Sequence, residues 1–168
     1  MKIANIKYNS VGNWYGISTS VYVSGCEHRC KGCFNPETWN KEYGYEYTKE
    51  VEDKIIESLK PKHIKSLVLL GGEPFMHYNI DGLVNLCIRA KDEIPDINIV
   101  AFTGYSFEKL YINKDKYKLL NLCDYLVDGK FIQELSSPNL KFRGSSNQRI
   151  IDVQQSFVTK GVVLYWKY

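Results

Sequence analysis

Long apolar runs are what this sequence most plainly lacks. No stretch approaches the roughly 18 consecutive apolar residues of a membrane-spanning helix, so a role within a membrane is not expected. The start, Met1-Lys-Ile-Ala-Asn-Ile-Lys7, has no apolar core of the roughly 7–15 residues that a secretory signal carries, and a cytoplasmic protein is the expectation. Charge of one sign is also missing. Lys and Arg number 22 against 19 Asp and Glu, a net charge of +3, and the two signs are interleaved. Without a basic stripe or polybasic tail, nucleic acid is not an expected partner. No linker, low-complexity tract or internal repeat divides the chain, so one domain over residues 1–168 is expected. At that length roughly 70% of the unfolded surface can be buried, and a hydrophobic content of 44% suits it.

Cysteine is scarce but concentrated. Of five cysteines in the chain, three fall in Cys26-Glu-His-Arg-Cys30-Lys-Gly-Cys33, spaced Cys-x3-Cys-x2-Cys. Cytoplasmic thiols stay reduced, so the cluster reads as a metal or redox site rather than a disulfide framework. Three thiolates converging from one loop hold three corners of a metal centre and leave the fourth open, as catalytic sites require. A closed zinc site would need a further ligand from His28, His63, His77, Cys87 or Cys123. His28 lies between two of the cysteines and would close a tetrahedron only with strain. Cys87, on the apolar face of a helix, and Cys123, at a helix end, read as small buried residues. A zinc site completed by a distant histidine stays open. A cubane iron–sulfur cluster with one free iron fits clustered thiolates better.

Around this loop the chain alternates strand and helix. Residues 1–20 read as an edge strand and a loop, and residues 21–26 as the first clear strand. Thr48 caps a helix whose apolar face is Val51, Ile55, Ile56 and Leu59. Ser66-Leu-Val-Leu-Leu70 is a continuous apolar run of the kind found in parallel strands buried on both faces. A helix over 80–94, a strand over 97–102, a helix over 106–122 weakened near Asn113, a strand over 125–127 and a last strand over 162–168 follow. The segment 138–153 mixes Pro, Gly and Ser with the apolar pair Ile150-Ile151. Such βα succession predicts an α/β fold with a mainly parallel sheet of about six strands. Each candidate motif falls where a strand gives way to its loop: Cys26, Gly71-Gly72-Glu73-Pro74, Thr103-Gly-Tyr105 and Asp128-Gly-Lys130. In parallel α/β architectures those strand ends share one face, so four loops can meet at one pocket. Two glycines after a buried strand allow close backbone approach. Glu73 then either meets a ligand ammonium or caps the next helix.

The order of these stretches resembles the radical S-adenosylmethionine superfamily. Within it, Val23-Ser-Gly-Cys-Glu-His-Arg-Cys-Lys-Gly-Cys-Phe-Asn-Pro-Glu-Thr-Trp39 and Phe142-Arg-Gly-Ser-Ser-Asn-Gln148 are similar to the glycyl-radical activases of anaerobic ribonucleoside-triphosphate reductase. Gly71-Gly-Glu-Pro74, Thr103-Gly-Tyr105 and Leu126-Val-Asp-Gly-Lys-Phe131 appear between them in the family's order. The lead-in Asn13-Trp-Tyr-Gly-Ile-Ser18 departs from the Asn-Gly-Pro-Gly-x-Arg of that family, which leaves the role of that loop open.

The resemblance implies an incomplete (βα)6-type barrel, since a full eight-unit barrel takes about 250 residues. It implies a 4Fe-4S cluster on Cys26, Cys30 and Cys33, whose fourth iron chelates S-adenosylmethionine. One-electron cleavage would give a 5′-deoxyadenosyl radical that takes hydrogen from a glycine of the reductase large subunit, with an external donor, flavodoxin by family analogy. Backbone at Gly32, Cys33 and Phe34 would cradle the adenine, and Gly71, Gly72 and Glu73 would receive the methionine amino end. Thr103, Asp128 and Lys130 are candidates for the ribose, the carboxylate or a nearby ion, against readings as turn or solvated residues. Ser145-Ser-Asn-Gln148 reads either as a polar loop or as a contact to cofactor or partner. Trp39 and the Tyr43–Tyr47 aromatics read either as core or as an exposed docking patch. The alternatives are a radical enzyme acting on another glycyl-radical protein or a small molecule, and a non-catalytic zinc module.

Overall fold

The computed structural model describes residues 1–165. The end of the strand expected over 162–168 lies outside the described residues; inside them that strand is β8, Val163–Leu164. The other strands are β1 (Lys2–Ser10), β2 (Ile17–Val23), β3 (Tyr45–Glu46), β4 (Ile64–Gly71), β5 (Asn98–Phe102), β6 (Tyr125–Asp128) and β7 (Arg149–Asp152). Helices α1 (Lys49–Leu59), α2 (His77–Glu93), α3 (Phe107–Ile112), α4 (Lys114–Leu120) and α5 (Val153–Thr159) separate them. Together the described strands form one sheet in the order β3-β1-β2-β4-β5-β6-β7-β8.

Only the central run, β2-β4-β5-β6, is parallel. Both flanks are antiparallel, β3-β1-β2 on one side and β6-β7-β8 on the other. The sheet is therefore mixed where a mainly parallel one was expected, and it has eight strands rather than about six. The reason is the connections: a parallel return needs a crossover element, and neither the short loop after β1 nor the segment between β6 and β7 carries one that crosses the sheet. β7 hides in the sequence because Ile150 and Ile151 are its only apolar residues.

Strand β2 also begins earlier than its apolar run, at Ile17. Ser18, Thr19 and Ser20 are buried despite their polarity. Each has a partner: Ser18 Oγ donates to the Ser10 carbonyl at 3.1 Å, Thr19 pairs with the Ser58 hydroxyl at 2.9 Å, and Ser20 Oγ accepts from Asn13 Nδ2 at 2.9 Å. A polar stretch becomes a central strand because its hydroxyls are satisfied locally. The helix expected over 106–122 splits at Asn113, whose Oδ1 caps α4 by accepting from the Asp115 and Lys116 N–H groups.

The period-2 alternation of strand side chains divides the molecule into two cores. Leu67, Leu69, Ile99, Ala101 and Leu126 join the buried faces of the helices. Val68, Val100 and Val127 point to the opposite face, where Trp14 covers them together with Tyr125 and Phe142. Trp14, in the loop whose sequence departs from the family pattern, is thus a floor residue that closes this second face at one end. At the other end, over the C-terminal strand ends, the face is open. Replacing Trp14, 3% exposed, by alanine is expected to lower stability by about 3–5 kcal/mol, measured by the shift in urea unfolding.

Candidate functional site

Three turns of the backbone bring the strand ends together. Val23, the last residue of β2, accepts the Gly72 N–H at 2.7 Å, and the Gly25 carbonyl accepts the Glu73 N–H at 2.8 Å. On its other side the Gly25 N–H donates to Thr38 at 2.7 Å, and Cys26 N–H donates to the Trp39 carbonyl at 3.3 Å. The start of the cysteine loop is therefore stitched between the turn after β4 and the short 3-10 segment Pro36–Trp39. Packing this close leaves no space for a side chain: a Cβ on Gly72 would stand 2.6 Å from the Gly25 carbonyl oxygen. The glycine is needed for backbone against backbone.

Glu73 fastens the loops from within. It is 1% exposed and its carboxylate accepts four hydrogen bonds. Thr103 Oγ1 and the Phe75 N–H donate to Oε1 at 2.8 and 3.0 Å, and His28 Nε2 and the Gly104 N–H donate to Oε2, both at 2.8 Å. A carboxylate offers about four acceptor positions, so both oxygens are committed to the protein. The sequence reading of Glu73 as a partner for a ligand ammonium gives way to a tie between the loops after β2, β4 and β5. Thr103 is drawn into the same network, donating to Glu73 and accepting the Tyr105 N–H at 3.1 Å.

These loops surround a cavity of about 730 Å³, within the roughly 300–1,000 Å³ range of small-molecule sites. Cys26, Cys30 and Cys33 all line it, with Phe34, Gly71, Gly72, Glu73 and Thr103. Burial pushes the Cys26 thiol up to about 11. Cys33 Sγ accepts the Asn35 N–H at 3.4 Å. Among the described residues no three His, Cys, Asp or Glu side chains already converge as metal ligands; the thiols share a cavity without being pre-assembled. Gly32, at φ +71, lies on the outer turn of this loop against the Gln133 side chain. Phe34, 73% exposed, packs on Phe131 with ring centroids 5.1 Å apart.

Three candidates fall outside the cavity wall: Gly32 on the outer turn of the cysteine loop, and Asp128 and Lys130. Asp128 is buried, but its carboxylate pairs with the Arg149 guanidinium and accepts the Phe107 N–H at 2.7 Å, joining β6, β7 and the start of α3. Lys130 is exposed, and neither residue is part of the cavity wall, whereas Gly129 between them is. Cys87 and Cys123 sit fully buried in the helix-side core, and burial raises both thiols. His63 and His77 do not line the cavity, while His28 lines it with its Nε2 committed to Glu73. Three thiols on one loop facing free volume fit an iron–sulfur cluster.

Sequence reasoning missed several wall residues. Tyr22, Leu70 and Phe102 line the cavity from the strands; their signal was available, since each is the inward-facing neighbour of an outward core residue. Of the candidate stretch Ser145-Ser-Asn-Gln148, Gln148 lines the cavity, with Oε1 accepting the Gly144 and Ser145 N–H groups and Nε2 donating to the Gly129 carbonyl.

Comparison with known proteins gives a consistent result. Residues 13–151 match the family model described as a 4Fe-4S single cluster domain. A protein from Vibrio cholerae named anaerobic ribonucleoside-triphosphate reductase-activating protein is 46% identical over 142 residues, covering 83% of this chain and 90% of that protein. Its namesake from Escherichia coli K12 is 40% identical over 81% of this chain and 88% of its own. That of Enterobacteria phage T4 is 33% identical over 82% and 85%.

The roles of the two carboxylates separate by experiment. Glu73→Gln turns one acceptor into a donor facing N–H groups, and a loss of about 1–3 kcal/mol in urea unfolding is expected, with slower iron uptake. Asp128→Asn is expected to lose a similar amount, about 1–3 kcal/mol, yet to leave iron content and cofactor affinity unchanged.

Proposed function

The chain belongs to the anaerobic ribonucleoside-triphosphate reductase-activating proteins, with their 4Fe-4S single cluster domain, and on that premise we propose how its cavity serves the activation. Cys26, Cys30 and Cys33 would hold the cluster beside S-adenosylmethionine, and the two together would supply the one-electron chemistry that takes a hydrogen atom from a glycine of the reductase. The protein's part is to bind, orient and exclude water. Backbone carbonyls at Gly71 and Gly72 receive the methionine amino group, and Cys33 and Phe34, with Gly32 on the turn behind them, bound the adenine. Glu73, Thr103 and His28 fix the loops that do this rather than touching the cofactor. No general base is needed, because the hydrogen transfer is homolytic.

Three thiols on one loop, opening into one cavity with Gly71 and Gly72, carry this reading. The helix-free sheet face above the parallel strands suits the concave side of an incomplete (βα)6-type barrel of the radical S-adenosylmethionine fold, formed by the whole chain as one domain. Its opening then admits a loop of the protein substrate. The electron comes from a one-electron donor such as flavodoxin, in the cytoplasm.

Protein purified without oxygen is expected to contain iron and sulfide, and to give a glycyl-radical doublet in electron paramagnetic resonance when mixed with reductase, reductant and S-adenosylmethionine. About one zinc per chain with no iron or sulfide would overturn the cluster. Cys30→Ala is expected to abolish S-adenosylmethionine cleavage, while Cys87→Ala retains it; equal loss in both would overturn the ligand assignment.

A further inference from the structure

Trp39 is neither a core residue nor part of an exposed patch. It ends the 3-10 segment Pro36–Trp39, and its carbonyl accepts the Cys26 N–H at 3.3 Å, so the backbone places it beside the first cysteine. Its side chain lines the same cavity as Cys26, Cys30 and Cys33, and borders on its other side a shallow surface cleft with Arg29, Pro36 and Lys41. The indole Nε1–H is buried and has no hydrogen-bond acceptor among the described residues. An indole nitrogen donates and cannot accept. Burying a donor without an acceptor is unfavourable, and such groups are rare in native structures unless a ligand, ion or water completes them. If the site required only an aromatic wall, phenylalanine would provide it without the unmet N–H.

We propose that the Trp39 Nε1–H donates a hydrogen bond to a sulfur of the thiolate–cluster assembly, and thereby raises the reduction potential of the cluster. This rests on the three-cysteine site of the preceding subsection. Thiolate and sulfide sulfurs carry negative charge and are acceptors, and they are the acceptors that the cavity gains when its metal centre is formed. A donor to sulfur favours the more electron-rich, reduced state, and hydrogen bonds to the sulfurs are among the factors that set cluster potentials. Trp39 forms and breaks no covalent bond. It acts on the step in which the external donor passes one electron to the cluster, making that transfer less uphill.

The test uses the full chain with its cluster reconstituted anaerobically, comparing wild type with Trp39→Phe. Iron and sulfide per chain are measured first, then the cluster midpoint by redox titration followed by electron paramagnetic resonance. Equal iron and sulfide are expected, with the variant's reduced-to-oxidised ratio about tenfold lower at a given potential, a midpoint about 59 mV more negative. An unchanged midpoint at equal cluster content would overturn the proposal and mean that water from the surface cleft meets the indole. A wild type without iron and sulfide would instead sink the cluster reading on which the proposal stands. Should Trp39→Phe lose its cluster or fail to fold, wild-type protein with nitrogen-15 in its indoles decides the matter. Hyperfine coupling of an indole nitrogen to the reduced cluster is expected, and its absence overturns the proposal.

Discussion

The carboxylate of Glu73 gathers donors from three loops that lie far apart in sequence: His28 after β2, Phe75 in its own turn, and Thr103 and Gly104 after β5. A buried carboxylate without partners is strongly unfavourable, so each of these groups is held where it is by the requirements of one residue. The cysteine loop, the double-glycine turn and the end of β5 consequently form a single rigid rim. Close packing reinforces it. A Cβ on Gly104 would come within 2.4 Å of the His28 ring, and one on Gly25 within 2.2 Å of the Tyr78 hydroxyl. The rim is set by charge satisfaction from inside and by the lack of side chains at its contacts.

That rigidity has a chemical use. The cysteine loop itself carries strain, with Arg29 at φ +46, a conformation that non-glycine residues adopt at some cost. Held through its first half by the backbone bonds of Gly25 and Cys26 to Thr38 and Trp39 and by His28 on Glu73, the loop presents its thiols to the cavity without having them pre-assembled. The same rim leaves open the sheet face that helices do not cover. Trp14 seals the opposite end of that face.

Much of this was legible from the chain. The Cys-x3-Cys-x2-Cys loop, the double glycine and Thr103 were placed at strand ends from apolar runs alone, and the structure puts them around one cavity. Three readings failed for different physical reasons. Asp128 looked like a site residue because it follows a strand, but Arg149, a neighbour only through the pairing of β6 and β7, turns it into an ion pair. The start of β2 was missed because buried serines and threonines do not announce their partners. Strand β7 was missed because it has only two apolar residues among polar ones.

The sequence by itself determined the chemistry on offer and the faces it would share: thiols at close spacing, glycines where backbones must touch, and strands whose period-2 alternation sorts side chains between two cores. Local pattern suffices for these, since each depends on residues a few positions apart. Tertiary structure decided which polar groups face the cavity and which serve the scaffold. Glu73 turns inward to the loops, Asp128 goes to Arg149, and the Trp39 indole N–H is left without a partner among the described residues. A side chain's hydrogen-bond partners come from strands and loops distant in the chain, and only the assembled sheet specifies which of them are within reach.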